Sequence, residues 1–401
     1  MVPENWRTTT LDDLAVVERG KFSARPRNDP QYYGGSIPFV QTGDVSTSGM
    51  YLKQHSQSLN EKGLAVSRLF PASTILITIA ANIGDVAIAP YDVAFPDSVV
   101  GIQARPDKCD PVWLYYYLLT CKDRLDQRAT QNAQKNINLE VLRPLPVTAP
   151  PLPEQRQIAH VLSQWDRAIE TSERLIANSE SQKRSLMNFL LTGSKRLSGF
   201  SGKWQLVPLG HAFEERVQRA SNGMRLLSVT QSRGVVPQDQ AGRRNISSSD
   251  LSKYKVVRVG DIAYNTMRMW QGASALSSFE GIVSPAYTVI TPRVGHWAKF
   301  YSYLFKYPQT INIFERHSQG LVSDTWNLKF PALSKIQLFI PEEVNEQRAI
   351  ADLLSDGDLI LTKEAYSLEK LREEKAALTR QLLTGKRRVL LAAAAKERLN
   401  A

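Results

Sequence analysis

The chain writes one stretch of 40 residues twice. Glu154-Gln155-Arg156 through Leu190-Leu191-Thr192-Gly193 returns as Glu346-Gln347-Arg348 through Leu382-Leu383-Thr384-Gly385, at a constant offset of 192 and without insertion. Identical pairs include Ile158/Ile350, Ala159/Ala351, Leu162/Leu354, Ser163/Ser355, Asp166/Asp358, Lys183/Lys375 and Leu186/Leu378. Self-similarity at a fixed offset restricts the architecture more than composition does, because both copies must take the same local structure.

Each copy reads as one long helix. In the first, Ile158, Leu162, Trp165, Ile169, Ile176, Leu186 and Leu190 follow a four-three alternation broken by Ser172, Ser179 and Lys183. In the second, Ile350, Leu354, Leu361, Leu368, Leu371, Leu378 and Leu382 keep that register, with Gly357, Glu364 and Lys375 as its gaps. The spacing predicts a coiled-coil seam, narrower than the apolar stripe of an ordinary surface helix. Pro153 and Pro341 stand where helices begin, and Gly193 and Gly385 where they end. At about 1.5 Å per residue such a helix spans roughly 60 Å. It needs a partner of similar length, and the other copy is the obvious one; the alternative is two helices buried in one globular core. Trp165 matches Gly357, so the packing is predicted to lose its twofold symmetry there.

With 401 residues the chain has room for two to three domains. No apolar run approaches a membrane span and the polar start is not a signal peptide, while Cys109 and Cys121 imply neither a zinc module nor a disulfide framework. The expectation is a reduced, cytoplasmic protein. The net charge of +11 is unevenly placed. The two repeats hold five and six basic residues against five and eight acidic ones, leaving 39 basic and 26 acidic residues elsewhere. A basic excess on the segments flanking near-neutral helices points to a polyanion.

Those flanking segments repeat each other loosely. Residues 1–149 read as a mixed α/β domain, with strands expected near 36–40, 74–79 and 85–89 and a buried helix at Pro111–Leu119. The Pro-rich run 144–153 forms a stiff lead into the first long helix (150–197 with its basic link). A second domain, 198–341, opens on Trp204 as the first opens on Trp6. Gly260-Asp261-Ile262 stands where Ser73-Thr74-Ile75 stood, Gly272 corresponds to Gly84, and the aromatic run 299–305 matches Trp113–Leu119. Asn327-Leu328 precedes the second helix as Asn138-Leu139 precedes the first, and residues 342–401 hold that helix and a tail. The predicted fold class is α+β: two mixed α/β domains and two long helices packed along their seams, with an internal repeat. Two unlike readers on one chain suit two unlike half-sites, where a symmetric dimer would read a palindrome.

The paired Glu-Gln-Arg helices closed by Leu-Leu-Thr-Gly, the run Gly260–Gly272 and the run Gly281–Tyr287 together resemble the specificity (S) subunit of a type I restriction–modification enzyme, over nearly the whole length. The resemblance implies two target recognition domains, each reading one half of a split site in double-stranded DNA. It implies that the helices pack as an antiparallel coiled coil with a pseudo-twofold internal repeat, set the unread gap and dock two methyltransferase (M) subunits, which carry the S-adenosylmethionine chemistry. Restriction/translocase (R) subunits would join through the core that one S subunit forms with its two M subunits, in a prokaryotic cytoplasm. No catalysis, cofactor or metal is implied for this chain itself.

The residues agree on that negative side. There is no Gly-x-x-x-x-Gly-Lys-Ser/Thr loop, Ala149-Pro150-Pro151-Leu152 lacks the Asn and aromatic of an amino-methyltransferase loop, Glu373-Glu374-Lys375 has no partner Asp at the spacing of a nuclease triad, and the five histidines do not cluster. Base readout needs paired donors or acceptors, chiefly Arg, Lys, Asn and Gln, whereas phosphates need only positive charge or polar donors. In the second domain the candidates are Gln231, Arg233, Arg243, Arg244, Asn265, Arg268, Trp270 and Gln271, with Trp270 equally readable as a core residue. In the first they are Lys21, Arg25 and Arg27, with Gln131, Asn132, Gln134, Lys135 and Asn136, an amide-dense run that also reads as a polar connection. A stand-alone two-headed DNA-binding or architectural protein is the alternative function, and an enzyme with a new site the more distant one.

Overall fold

The computed structural model describes residues 3–80, 82–129, 136–220, 223–230, 234–242, 251–321 and 325–389. The repeat folds into two helices, Leu152–Leu190 and Val344–Leu383. The chain divides into two compact units, Met1–Thr171 with Leu368–Ala401 and Ser172–Ser367, and both divisions fall inside a long helix. Unit 1 therefore holds the start of the first helix and the end of the second, and unit 2 holds the converse.

Within each unit the two helices run antiparallel, as the resemblance implies. In unit 1 Asp166 meets Lys375 while Glu154 meets Arg388. In unit 2 Lys183 meets Asp358 while Arg196, just past the first helix, meets Glu346 at the start of the second. The polar gaps in the apolar alternation are used: Ser179 donates to Glu364 at 3.1 Å, and the methylenes of Lys183 lie 3.6 Å from the position a Cβ on Gly357 would take. Ile158, Leu162, Leu190, Ile350, Leu354, Leu368 and Leu382 are buried, whereas Trp165, Ile169, Ile176, Leu361, Leu371 and Leu378 are half-buried. Leu186 departs from the seam and is 37% exposed, its place taken by Met187. Its counterpart Leu378, as many heptads past Ile350 as Leu186 is past Ile158, stays half-buried against the core of unit 1.

The heads repeat one topology. Unit 1 has a four-stranded antiparallel sheet in the order Ala15–Arg19, Val99–Ala104, Ile75–Thr78, Val86–Ile88. Unit 2 has the order Phe213–Glu215, Tyr287–Pro292, Ile262–Asn265, Ser274–Leu276. Each head is tied off by a ladder of its first and last strands, Arg7–Thr10 with Pro146–Ala149 and Trp204–Pro208 with Gln337–Pro341. Half of the Pro-rich lead is thus a sheet strand, because its alternate residues Val147 and Ala149 find a core to face. The helices Pro111–Leu119 and Ala298–Leu304 pack behind the sheets, with Trp113, Tyr116, Phe300 and Tyr301 fully buried. Among the described residues, unit 1 adds a second four-stranded sheet, and unit 2 two antiparallel pairs.

The loose correspondence between heads is real in backbone terms, with one shift. Ser73 and Gly260 share a left-handed turn, as do Gly84 and Gly272. Ile137 N donates to Ile79 O, and Leu328 N donates to Thr266 O, so the partner of Asn327 is Asn136 rather than Asn138. Asn138 instead caps the short helix Leu139–Leu142, a place filled by Lys329 in unit 2.

Candidate nucleic-acid interface

In unit 2 the strand Ile262–Asn265 is fixed at its base by buried Asp261. That carboxylate accepts from Arg216 at 2.7 and 2.9 Å, from Arg258 N at 2.8 Å and from Thr291 Oγ1 at 2.9 Å. At the strand's other end Asn265 Oδ1 accepts from Met267 N at 3.0 Å, an Asx turn that starts the reversal. The chain then makes a single helical turn, Met269–Gln271, ended by left-handed Gly272. Met269 plugs into the core at 0% exposure while Met267 is 46% exposed. Half-buried Trp270 meets Trp326 edge-on, with ring centres 5.3 Å apart, and donates to Met267 O at 3.0 Å. Helix Pro308–His317 closes the far side, since a Cβ on Gly272 would stand 2.9 Å from Ile311 Cδ1.

This turn presents Arg268 and Gln271 outward from a braced backbone. Together with Asn265, Val229, Thr230, Ala273 and Tyr287 they line a recess of about 190 Å³. The Arg268 guanidinium makes no ion pair or hydrogen bond among the described residues. A fork of donors beside two side-chain amides matches what base edges in a major groove offer. Thr230 and Tyr287 were absent from the sequence candidates. Tyr287 pairs with Asn265 across the sheet, and it lies in the Gly281–Tyr287 run that carried the resemblance. No local signal marks Thr230, which arrives through tertiary packing. Gln231, Arg233, Arg243 and Arg244 lie outside the described residues.

Unit 1 treats its candidates differently. Arg27 Nη2 donates to both carboxylate oxygens of Asp97 at 2.9 and 3.0 Å, and Arg25 turns back onto Ala24 O at 2.7 Å. Lys21 is exposed and its ammonium makes no hydrogen bond or ion pair among the described residues. Gln131, Asn132, Gln134 and Lys135 lie outside the described residues, and Asn136 is exposed and bridges to Ala80. Ala80 belongs to the turn that ends at Gly84, the counterpart of the Arg268 turn, so Asn136 flanks the equivalent place. The turn itself carries Asn82, whose carbonyl accepts from Thr78 and whose amide donates to Ser46 Oγ at 3.1 Å.

Both heads are seated on the helices by the same residues. Tyr116 Oη donates to Asp166 at 2.5 Å and Lys375 pairs with that carboxylate; Tyr303, Asp358 and Lys183 repeat the arrangement, with Tyr303 at 2.6 Å. Burial, reinforced by the neighbouring Asp, pushes both phenols well above the usual tyrosine range. Gln155 Nε2 donates to Pro150 O and Lys108 O while its Oε1 accepts from Asp110 N. Gln347 likewise binds Pro341 O and Trp297 N. The sequence repeat is therefore a repeated seat.

Comparison with known proteins agrees with this architecture. Residues 3–181 match the family model of the type I restriction modification DNA specificity domain. The chain is 28% identical over 196 residues to a putative type I restriction enzyme MjaX specificity subunit of Methanocaldococcus jannaschii, across 49% of this chain and 45% of that relative. It is 21% identical to the MjaVIII specificity subunit of the same organism, across 97% of this chain and 94% of that one. It thus spans about half of the first relative and nearly all of the second. The S subunit of a type I restriction–modification system from M. genitalium shares the fold, with a TM-score of 0.59 at 16% identity over 94% of this chain and 96% of that one. The first head and most of the helix after it match a DNA specificity domain, and the second head repeats the topology of the first. More narrowly, the relatives it resembles are specificity subunits of type I restriction–modification systems.

Proposed function

We propose that this chain recognises a bipartite, asymmetric DNA site, one half-site per unit, and carries methyltransferase subunits on its long helices. The observation that supports this most is one seat built twice beneath two heads whose presented side chains differ. An identical foundation with unlike outer turns makes a reader of two different sequences, not of a palindrome. The unpaired Arg268 with Gln271 and Asn265 would read base edges in one half. Exposed apolar side chains on the helices, among them Leu175, Leu353, Leu359 and Ile360, give a protein partner a surface to bury. On this reading two M subunits dock there and bring S-adenosylmethionine, R subunits join through the resulting methyltransferase core, and the assembly works in a prokaryotic cytoplasm. No helix among the described residues is long and apolar enough to cross a membrane.

Co-expression with the partner methyltransferase tests the proposal. The complex should place methyl groups on adenines within one split sequence, read by mapping modified bases with and without this chain. In Arg268→Ala one half of that sequence should become permissive by about tenfold, since a bidentate base contact is worth about 1–3 kcal/mol. Tight DNA binding with no partner engagement would favour a stand-alone binder, and methylation or cleavage by the isolated chain would overturn the proposal.

A further inference from the structure

The seat has a third component whose two copies are connected differently. In unit 2 the carboxylate of Glu346, 1% exposed, accepts from Arg196 at 2.5 and 2.6 Å and from Trp204 Nε1 at 3.3 Å. Gly193, with φ +71, lets the chain pass against the Trp204 ring. In unit 1 the carboxylate of Glu154, 2% exposed, accepts from Arg388 at 2.5 and 2.8 Å and from Trp6 Nε1 at 3.3 Å. Gly385, with φ +72, lies against Pro3 and Trp6. Arg196 and Arg388 stand at the same offset of 192 as the helices, so the repeat outlasts the Leu-Leu-Thr-Gly ending by three residues.

Covalent connection distinguishes the two joints. Arg196 and Trp204 lie in one short link, which holds both beside Glu346 even when the ion pair breaks. Arg388 follows the second long helix and Trp6 precedes the first, so no short link joins them. A short tether supplies an effective concentration that untethered groups lack. Strand Arg7–Thr10 leaves directly from Trp6 and pairs with the strand that enters the first long helix. The Arg388–Glu154–Trp6 joint therefore fixes how the first head meets its helix.

Building on the reading above, we propose that Arg388 is a positioning residue for sequence discrimination by unit 1, acting through Glu154 and Trp6 without touching DNA, and that Arg196 has a weaker version of that role in unit 2. The test uses the full chain with its partner methyltransferase. Methylation maps of Arg388→Ala should show about a tenfold rise at sites carrying one wrong base in the half that Arg268→Ala leaves intact, as expected for a lost charge-assisted hydrogen bond. Arg196→Ala should relax the other half by about threefold or less, because its link persists. Arg388→Lys, which keeps the charge and loses the fork, should fall between wild type and Arg388→Ala. Equal relaxation of both halves by Arg388→Ala, no relaxation, or loss of folding in both Arg388 variants would each overturn the proposal.

Amide exchange on the full chain without DNA separates this proposal from the functional reading. Arg388→Ala should expose the Arg7–Thr10 strand and spare Trp204–Pro208. Unchanged exchange at Arg7–Thr10 overturns the positioning role, even if no methylation is ever seen. Selective exposure without any site-specific methylation by the wild type would instead sink the functional reading and leave the joint standing.

Discussion

Ser73 holds φ +69 at the turn where unit 2 has Gly260 at +88, and both donate a backbone hydrogen bond across the turn, to Ala89 O and Ser277 O. A left-handed conformation costs a residue with a Cβ about 1–2 kcal/mol, partly offset by the larger entropy that glycine loses on folding. Ser73→Gly should therefore stabilise unit 1 by about 0.5–1 kcal/mol, seen as a raised denaturation midpoint; a lowered midpoint would refute the strain. His296 in unit 2 has its Nδ1 2.7 Å from Tyr301 Oη. Burial, with a smaller contribution from nearby His211, lowers its pKa below the usual 6.5. Between that lowered value and 6.5 the unfolded chain binds the proton more readily than the folded one. The stability is thus present in full above about pH 6.5 and lost as pH falls through the folded pKa. Urea midpoints at pH 7.5 and 5.5 should drop less in His296→Gln than in wild type, and an equal drop would exclude His296 as the source.

The long helices show how position within an element decides cost. Leu190 is 4% exposed in the core of unit 2, and Leu186, one turn earlier, is 37% exposed. Leu190→Ala should cost about 2–4 kcal/mol of unit 2 stability and Leu186→Ala less than about 1, by chemical denaturation. Equal costs would mean that burial at the helix end does not set the cost. Much of this element was legible in the sequence, because the alternation Ile158–Leu162–Trp165–Ile169 is a local signal with one physical reading. What Ser179, Glu364 and Lys183 do was not legible, since each gap finds its partner only once the antiparallel register is set. The recess was half legible for the same reason. Asn265, Arg268 and Gln271 stand in one run, whereas Tyr287 reaches it through sheet pairing and Thr230 through tertiary packing. Arg27 read as a free cation because Asp97 lies 70 residues away. Arg388 carried a visible sign, its offset of 192 from Arg196, in a stretch that read only as a tail.

The excess positive charge of the whole chain lies outside the helices, while the clearest base-reading candidate is a single turn in unit 2. These are separable contributions to DNA binding. Phosphate contacts release counterions, and log K then falls with log salt at a slope of about −0.9 for each phosphate neutralised. Base contacts add discrimination and little salt dependence. If Arg268 reads a base, Arg268→Ala in the methyltransferase complex should lose affinity for the mapped site by about 1–3 kcal/mol while keeping the wild-type salt slope. Its affinity for unrelated duplex should not change. Lys21, exposed and uncommitted in unit 1, should behave oppositely: Lys21→Ala should flatten the slope by up to about one unit on every duplex alike. Binding titrations between about 50 and 200 mM salt, on the mapped site and a scrambled one, separate the two signatures. A flattened slope for Arg268→Ala would reassign that guanidinium to the phosphates and leave the recess, with Gln271 and Asn265, to read its half-site without it.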